Sequence, residues 1–481
     1  MKTSPETSAS ICPPHEIRAR FSAAMSEMYR KEVPLYGRLI ELVREINDDI
    51  LKQNPQLEVD LGNLDRVSQE RHGAIRLGTA AELRTMAEVF RVMEMHPVGY
   101  YDLSVAGLPV HSTAFRPIEK EELAKNPFRI FTSLLRTDLL ETDVQTAAET
   151  TLAKRDIFSP GLRKMLDVFR TKGELTEAEA ETFISEALET FRWHSSALVS
   201  RSFYEKLLSI NALLADIVCF RGPHINHLTP RVLDIYRIHR TMESMGIETI
   251  PEVQGPPKDL PILLKQTSFR ALNEEIRFPE EDGTFIGGKH RARFGEIELR
   301  DCAITPEARA IYDRLTAQVK EESKELRKEG GEERYRKEYP ELLDKVFRDG
   351  FPAWSLSELR RQGLGYFHYQ LRDDGARTDL TADPELSVKA QLEEWIDAGH
   401  VTATPVTYED FLPVSAAGIF HSNLDDKSGS IEKEDPNQAM FEEALGRPVH
   451  DPFALYKAEE ERTIDSVFEK LGIGKRTSEV G

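Results

Sequence analysis

Cysteine is scarce in this chain, with three in 481 residues: Cys12, Cys219 and Cys302. Three scattered thiols make neither a disulfide framework nor a zinc knuckle. A reducing, cytoplasmic setting is the simple expectation. No run of about 18 apolar residues occurs, so no membrane span is expected. Met1 to Glu16 is polar and lacks an apolar core, which argues against a secretory signal. Basic residues are outnumbered, 63 against 83 acidic, for a net charge of -20. That deficit argues against non-specific nucleic-acid binding, which needs Lys and Arg on phosphates. Nucleotide and hydrolase motifs are missing as well. Gly287-Gly288-Lys289 lacks the spacing of a phosphate loop, and no Cys-x-x-Cys, His-Glu-x-x-His or Gly-x-Ser-x-Gly pattern occurs.

What is present is 40% hydrophobic and 30% charged, the balance of a globular chain long enough for two or three domains. Residues 1–14, rich in Ser, Thr and Pro, are expected to form a disordered tail. An N-terminal helical segment is expected over 15–65, broken at Pro34. A strand–helix–strand–strand–strand unit follows over 66–140. Its first strand carries His72, Ala74 and Arg76 on one face, because strand side chains alternate. Thr79 and Glu82 form a capping-box pattern that opens the helix. Strands are expected at Val98–Val105, Val110–Arg116 and Phe128–Leu135.

Residues 141–217 read as a helical insertion, with one helix start at Thr176 to Glu179. A second unit of the same order is expected over 218–304. Its strand lies within Cys219–Leu228, and Thr229 and Pro230 suit the N-cap and first position of its helix. Strands then fall at Glu248–Val253, Ile262–Ile276 and Arg293–Cys302, with Gly287-Gly288 as a turn before the last. Residues 305–425 read as a C-terminal helical and pocket-covering region, with strand character at Tyr366–Tyr369 and Val401–Val406. Residues 426–481 read as a tail with one helix. The fold class expected is α+β, built on two βαβββ units with a metal site at their seam.

Two neutral imidazoles and one carboxylate form a facial triad that suits Fe(II). Three positions stay open, enough for two oxygens of a 2-oxo acid and for O2. His72, His227 and Glu296 supply this set if the two units pair. Glu298 shares a strand face with Glu296 and could be the ligand instead. His224 lies on the opposite parity to His227 and ranks lower. A lone histidine is more often structural than ligating; equivalent placement in two units is what raises these two. The fork of Arg76 suits a carboxylate in a closed pocket, and its bland alternative is an ion pair within the fold. Val414 and Ser415 sit in an apolar run of small residues, Phe411–Phe420, that can bring backbone close to a ligand. On loop chemistry alone an ordinary turn is the simpler reading of them.

At these residues the chain resembles a known family. Ser26 to Tyr36 (SEMYRKEVPLY), Glu70 to Arg76 (ERHGAIR), Asn226 to Arg231 (NHLTPR), Arg293 to Glu298 (RFGEIE) and Tyr408 to Gly418 (YEDFLPVSAAG) resemble the 2-oxoadipate dioxygenase/decarboxylase family of the vicinal oxygen chelate superfamily. The resemblance covers about residues 15–425. The chain departs from the family pattern at Leu299, where Gln is common. The resemblance implies paired βαβββ units forming a curved mixed sheet around Fe(II) held by His72, His227 and Glu296. It implies Arg76 and Ser415 as catalytic, and His72, Arg76, Val414 and Ser415 as substrate-binding. The implied reaction turns 2-oxoadipate and O2 into 2-hydroxyglutarate and CO2 in lysine breakdown, without a nucleic-acid or membrane partner. Two rivals use the same scaffold: a metal-dependent isomerase or lyase that needs no O2, and a non-catalytic, metal-free binding protein.

Overall fold

A computed structural model describes residues 10–54, 64–372, 380, 383, 385–412 and 437–473. Helices and open sheets alternate along the chain, so the class is mixed α+β. Two compact units form. One takes in the described residues up to Val253 together with Gln266–Leu299 and Asp410–His450. The other takes in Gln254–Lys265, Arg300–Glu409 and the described residues from Asp451.

The first unit opens with β1 (Ile11–Cys12), α1 (Pro14–Glu32) and α2 (Pro34–Gln53). Pro14 and Pro34 stand in the first turns of their helices, where a missing N–H leaves no bond unmade. Within the span 1–14 expected to be a tail, Ile11 and Cys12 pair with Thr176 and Leu175. Then come β2 (Arg71–Leu77), α3 (Ala80–Val92), β3 (His96–Asp102), β4 (Val110–Arg116) and β5 (Arg129–Leu135). Thr79 and Glu82 make the expected capping box at the start of α3. Leu83, Met86 and Phe90 of that helix bury in one core with Ile75 and Leu77 of β2. The sheet runs β3-β4-β5-β2-β7, with β7 (Leu228–Pro230) at one edge. β2 lies parallel to β5, and β4 lies antiparallel to both β3 and β5. From His72 to Leu77 every residue of β2 is buried, as suits a strand with neighbours on both edges and a parallel partner.

Between the copies lie α4 (Thr142–Leu152), α5 (Pro160–Lys172), β6 (Leu175–Thr176), α6 (Glu177–Thr190), α7 (Arg201–Ile210) and α8 (Ala212–Cys219). Thr176 and Glu179 cap α6 as expected.

The second copy departs from expectation in four places. The strand expected at Glu248–Val253 is reduced to a single bridge at Thr249. The strand expected within Cys219–Leu228 is β7, so Thr229 and Pro230 are strand residues. The next helix, α9 (Ile235–Ser244), is instead capped by Asp234, whose side chain accepts from Arg237 N–H. Residues 225–227 lean on β2: the Asn226 N–H donates to the Ala74 carbonyl. Gly73 permits that approach, because a Cβ there would lie 2.5 Å from Cδ1 of Ile225. Next, Ile262–Ile276 splits into β8 (Leu264–Phe269) and β9 (Glu274–Pro279), because β9 pairs with β10 (Phe285–His290) as a separate hairpin. Finally, Gly287 and Gly288 lie inside β10 opposite Arg277 and Ile276, and the turn falls between Glu280 and Thr284.

The last strand, β11 (Gly295–Arg300), neighbours β8. Arg231 bridges Glu298 in parallel, and Thr249 bridges Phe269 antiparallel. First strand beside last, last beside third, third beside second is also the neighbour order of β2, β5, β4 and β3. The two copies thus share this neighbour order, held in the second by isolated bridges, and the β9–β10 hairpin is inserted there.

The second unit contains α10 (Pro306–Gly350), the antiparallel pair β12 (Phe367–Leu371) and β13 (Val401–Pro405), and α11 (Pro452–Lys470). The N–H groups of Phe367 and Tyr369 donate to Glu460 and Thr463 of α11. No helix among the described residues is long and apolar enough to cross a membrane.

Candidate metal centre

β2, the approach to β7, and β11 each deliver one donor to a single buried point. His72, His227 and Glu296 are 1%, 4% and 2% exposed. One donor atom from each lies within 4.8 Å of the other two. Nε2 of His72 is 3.1 Å from Oε1 of Glu296, and Nε2 of His227 is 3.8 Å from Oε2. The two rings stand at 89° with centroids 5.3 Å apart, so their nitrogens converge rather than stack. His227, expected on a strand, lies instead on the segment just before β7 that rests on β2.

Electrostatics separate the two histidines. Burial pushes His227 down to about 4, with His72 and Arg76 adding to the effect against the pull of Glu296. Its imidazole is therefore neutral near pH 7, the form that ligates metals. Burial also works against a charged His72, but Glu298 and Glu296 outweigh it and hold its pKa above the ordinary value. Neither ring nitrogen of His227 has a hydrogen-bond partner among the described residues. Buried polar atoms are seldom left so. A divalent metal between the three side chains would satisfy Nε2, and two imidazoles with one carboxylate suit such an ion. The residues present fit the group.

The surroundings hold the donors in place. The amide of Gln266 on β8 donates to Oε1 of Glu296 at 2.5 Å. Glu298, the alternative ligand by strand parity, sits on the other side of His72, with Oε2 3.0 Å from Nδ1. Behind it, Arg129 and Arg231 flank Glu70 at 2.7 and 3.0 Å, and Arg129 comes within 3.8 Å of Glu298. The rings of Phe411 and Phe294 lie 4.9 Å from His72 and His227 respectively and wall the site with apolar surface.

Arg76 is buried and its Nη1 donates to Oδ2 of Asp216 at 2.5 Å, so the intramolecular ion pair foreseen for it exists. His224 joins the same carboxylate at 3.2 Å and stands apart from the donor trio, in keeping with its lower rank. Val414 and Ser415 lie outside the described residues. Gln266, Glu70, Arg129 and Asp216 were not foreseen; each matters through strand pairing or helix docking that spacing does not reveal. A second donor group, Cys12 with Glu16 and Glu177, is spanned by Arg20, whose guanidinium already bonds both carboxylates at 2.9 and 2.6 Å.

The fold and site together define an α+β protein with a buried two-histidine, one-carboxylate centre. The profile of the 2-oxoadipate dioxygenase/decarboxylase family matches residues 21–423. A 2-oxoadipate dioxygenase/decarboxylase of Pseudomonas putida is 47% identical over 466 residues, 96% of this chain and 98% of that one. Its Escherichia coli counterpart is 47% identical over 454 residues, 93% and 97% of the two chains. The crystal structure of the Pseudomonas putida hydroxyglutarate synthase in complex with 2-oxoadipate superposes with a TM-score of 0.85 at 45% identity, covering 96% of this chain and 100% of that one. The chain belongs to the 2-oxoadipate dioxygenase/decarboxylase family, and it is an enzyme of that type.

Proposed function

We propose that this chain converts 2-oxoadipate and O2 to 2-hydroxyglutarate and CO2 at an Fe(II) centre held by His72, His227 and Glu296. The carrying observation is His227, buried, with its Nε2 unbonded among the described residues and 3.8 Å from a carboxylate oxygen. The equation balances, since both oxygen atoms of O2 are retained in the two products. Bound there, the metal supplies the redox chemistry that lets O2 react with a 2-oxo acid.

The chain's own residues do the rest. Gln266 and Glu298 orient Glu296 and His72 from behind. Phe411 and Phe294 keep water from the donors. Arg76, on the His72 face of β2, takes a carboxylate of the diacid, and the family resemblance assigns substrate binding to Val414 and Ser415 as well. The shared neighbour order of the two copies supports paired βαβββ units of the vicinal oxygen chelate type, curved around the site. Three buried free thiols support a reducing, cytoplasmic setting, where the step would serve lysine breakdown.

Iron content and O2 consumption, measured together on 2-oxoadipate, test the reading. One O2 used per CO2 released is expected. Turnover without O2 would instead mean an isomerase or lyase, and failure to bind metal would mean a binding protein.

A further inference from the structure

Asp216 comes from α8, a helix whose every residue is buried. Three cationic or N–H-bearing side chains converge on its carboxylate. Arg76 Nη1 donates to Oδ2 at 2.5 Å. Nε2 of His290, from β10, is 2.9 Å from Oδ1, and Nε2 of His224 is 3.2 Å from the same oxygen. His290 is fixed in turn: its Nδ1 lies 3.0 Å from the Tyr204 hydroxyl, and its ring lies parallel to Trp193 at 6.0 Å. The edge of His224 meets the same indole at 4.6 Å.

An ion pair that only joined β2 to α8 would need Arg76 and Asp216 alone. Here the second carboxylate oxygen is also held, by two rings that an indole and a phenol keep from turning. The carboxylate plane is therefore fixed, and its Oδ2 tethers Nη1 of Arg76. Arg76 lies on the face of β2 that carries His72. A long, rotamer-rich side chain held in one orientation beside a metal site recognises a carboxylate without the cost of ordering itself on binding.

We propose that Asp216, held by His224 and His290, is a positioning residue for Arg76 and through it sets the preference for 2-oxo diacids over 2-oxo monoacids. The inference rests on the reading that Arg76 takes the carboxylate distant from the keto group.

The test uses the full-length, iron-loaded enzyme with Asp216→Asn and His290→Gln. Each is assayed on 2-oxoadipate and on 2-oxohexanoate, a monoacid of equal chain length, with iron content and melting temperature recorded. Asp216→Asn keeps the shape and removes the charge. It is expected to lower kcat/KM for the diacid by about ten- to a hundred-fold, mainly through KM, the range that misplacing a positioning group produces. The monoacid should lose less, so the diacid-to-monoacid ratio falls while iron content stays unchanged. His290→Gln, which retains an N–H donor, should move the ratio in the same direction by less, and it decides the matter if Asp216→Asn does not fold. Equal losses on both substrates in the folded variants would make the network purely structural and overturn the proposal. Arg76→Lys separates the two layers. If it alone moves the ratio, the Asp216 inference fails and the reading of Arg76 stands; if none of the three does, the reading of Arg76 fails.

Discussion

Nδ1 of His72 and Oε2 of Glu298 lie 3.0 Å apart, on the opposite side of the imidazole from the Glu296 oxygen that meets Nε2 at 3.1 Å. One ring thus separates two carboxylates of one strand face. Glu296 looks into the donor trio; Glu298 looks at the back of a donor. Glu296→Gln is expected to abolish metal binding. Glu298→Gln should weaken it by about ten- to a hundred-fold, as removal of a histidine's outer partner does, and excess metal should restore activity. Equilibrium metal titration of the two variants checks the ranking. The reverse order would make Glu298 the ligand.

His72→Ala and His227→Ala each remove one of three ligands. Both should lose iron while retaining the secondary structure of the parent, read by metal analysis beside circular dichroism. His227→Ala should be the better folded of the two, because His227 makes no hydrogen bond that the truncation would break, whereas His72 stands between two buried carboxylates. Full iron occupancy in either variant would sink the assignment.

Glu460 offers a pH test remote from this chemistry. Burial raises its pKa to about 7, against the Phe367 N–H that donates to it and the charge of Lys389. The folded state therefore holds a proton that the unfolded state releases near the ordinary value of 4.5. The stability this contributes is complete below that value and is lost as pH rises through about 7. The shift corresponds to about 3 kcal/mol. Glu460→Gln stays neutral and keeps an oxygen for Phe367. It should match the parent in denaturant melts at pH 4.5 and exceed it at pH 8. A variant less stable at pH 8 would show that ionised Glu460 is favourably paired.

Much of the site could be read from spacing, and the limits of that reading are physical. The box at Thr79 and Glu82 marked α3, and alternation placed His72 and Arg76 on one face, because both signals are local. Glu296 and Glu298 stayed equivalent because strand parity is the same for both; only the docked ring of His72 tells them apart. Arg76 stayed divided between pocket and ion pair because Asp216 is 140 residues away in the chain. The β9–β10 hairpin was missed because no Gly or Pro interrupts Leu264 to Ile276, and composition does not say that a strand changes partners. The strand looked for before Leu228 was misplaced because residues 225–227 are held by close packing over Gly73 rather than by a ladder.

Arg116 and Asp410 are 1% exposed each and joined twice, Nε to Oδ1 at 2.8 Å and Nη2 to Oδ2 at 3.0 Å. The pair fixes the chain at the residue before Phe411, whose N–H donates to the Tyr101 hydroxyl at 3.2 Å and whose ring meets His72. A buried pair of this kind gains little over well-packed apolar residues, but breaking it from one side leaves a charge stranded. Asp410→Ala is therefore expected to cost about 3–5 kcal/mol, and Arg116→Met combined with Asp410→Leu much less than the two single changes added. Chemical denaturation of the single and double variants measures the coupling. Phe411 adds a second readout: Asp410→Ala should also raise KM for 2-oxoadipate by loosening the wall over His72, and the double variant should restore part of it. If the double variant were as unstable as the singles summed, the pair's charges would matter less than the shape it fills, and the hold on Phe411 would have to come from its other contacts.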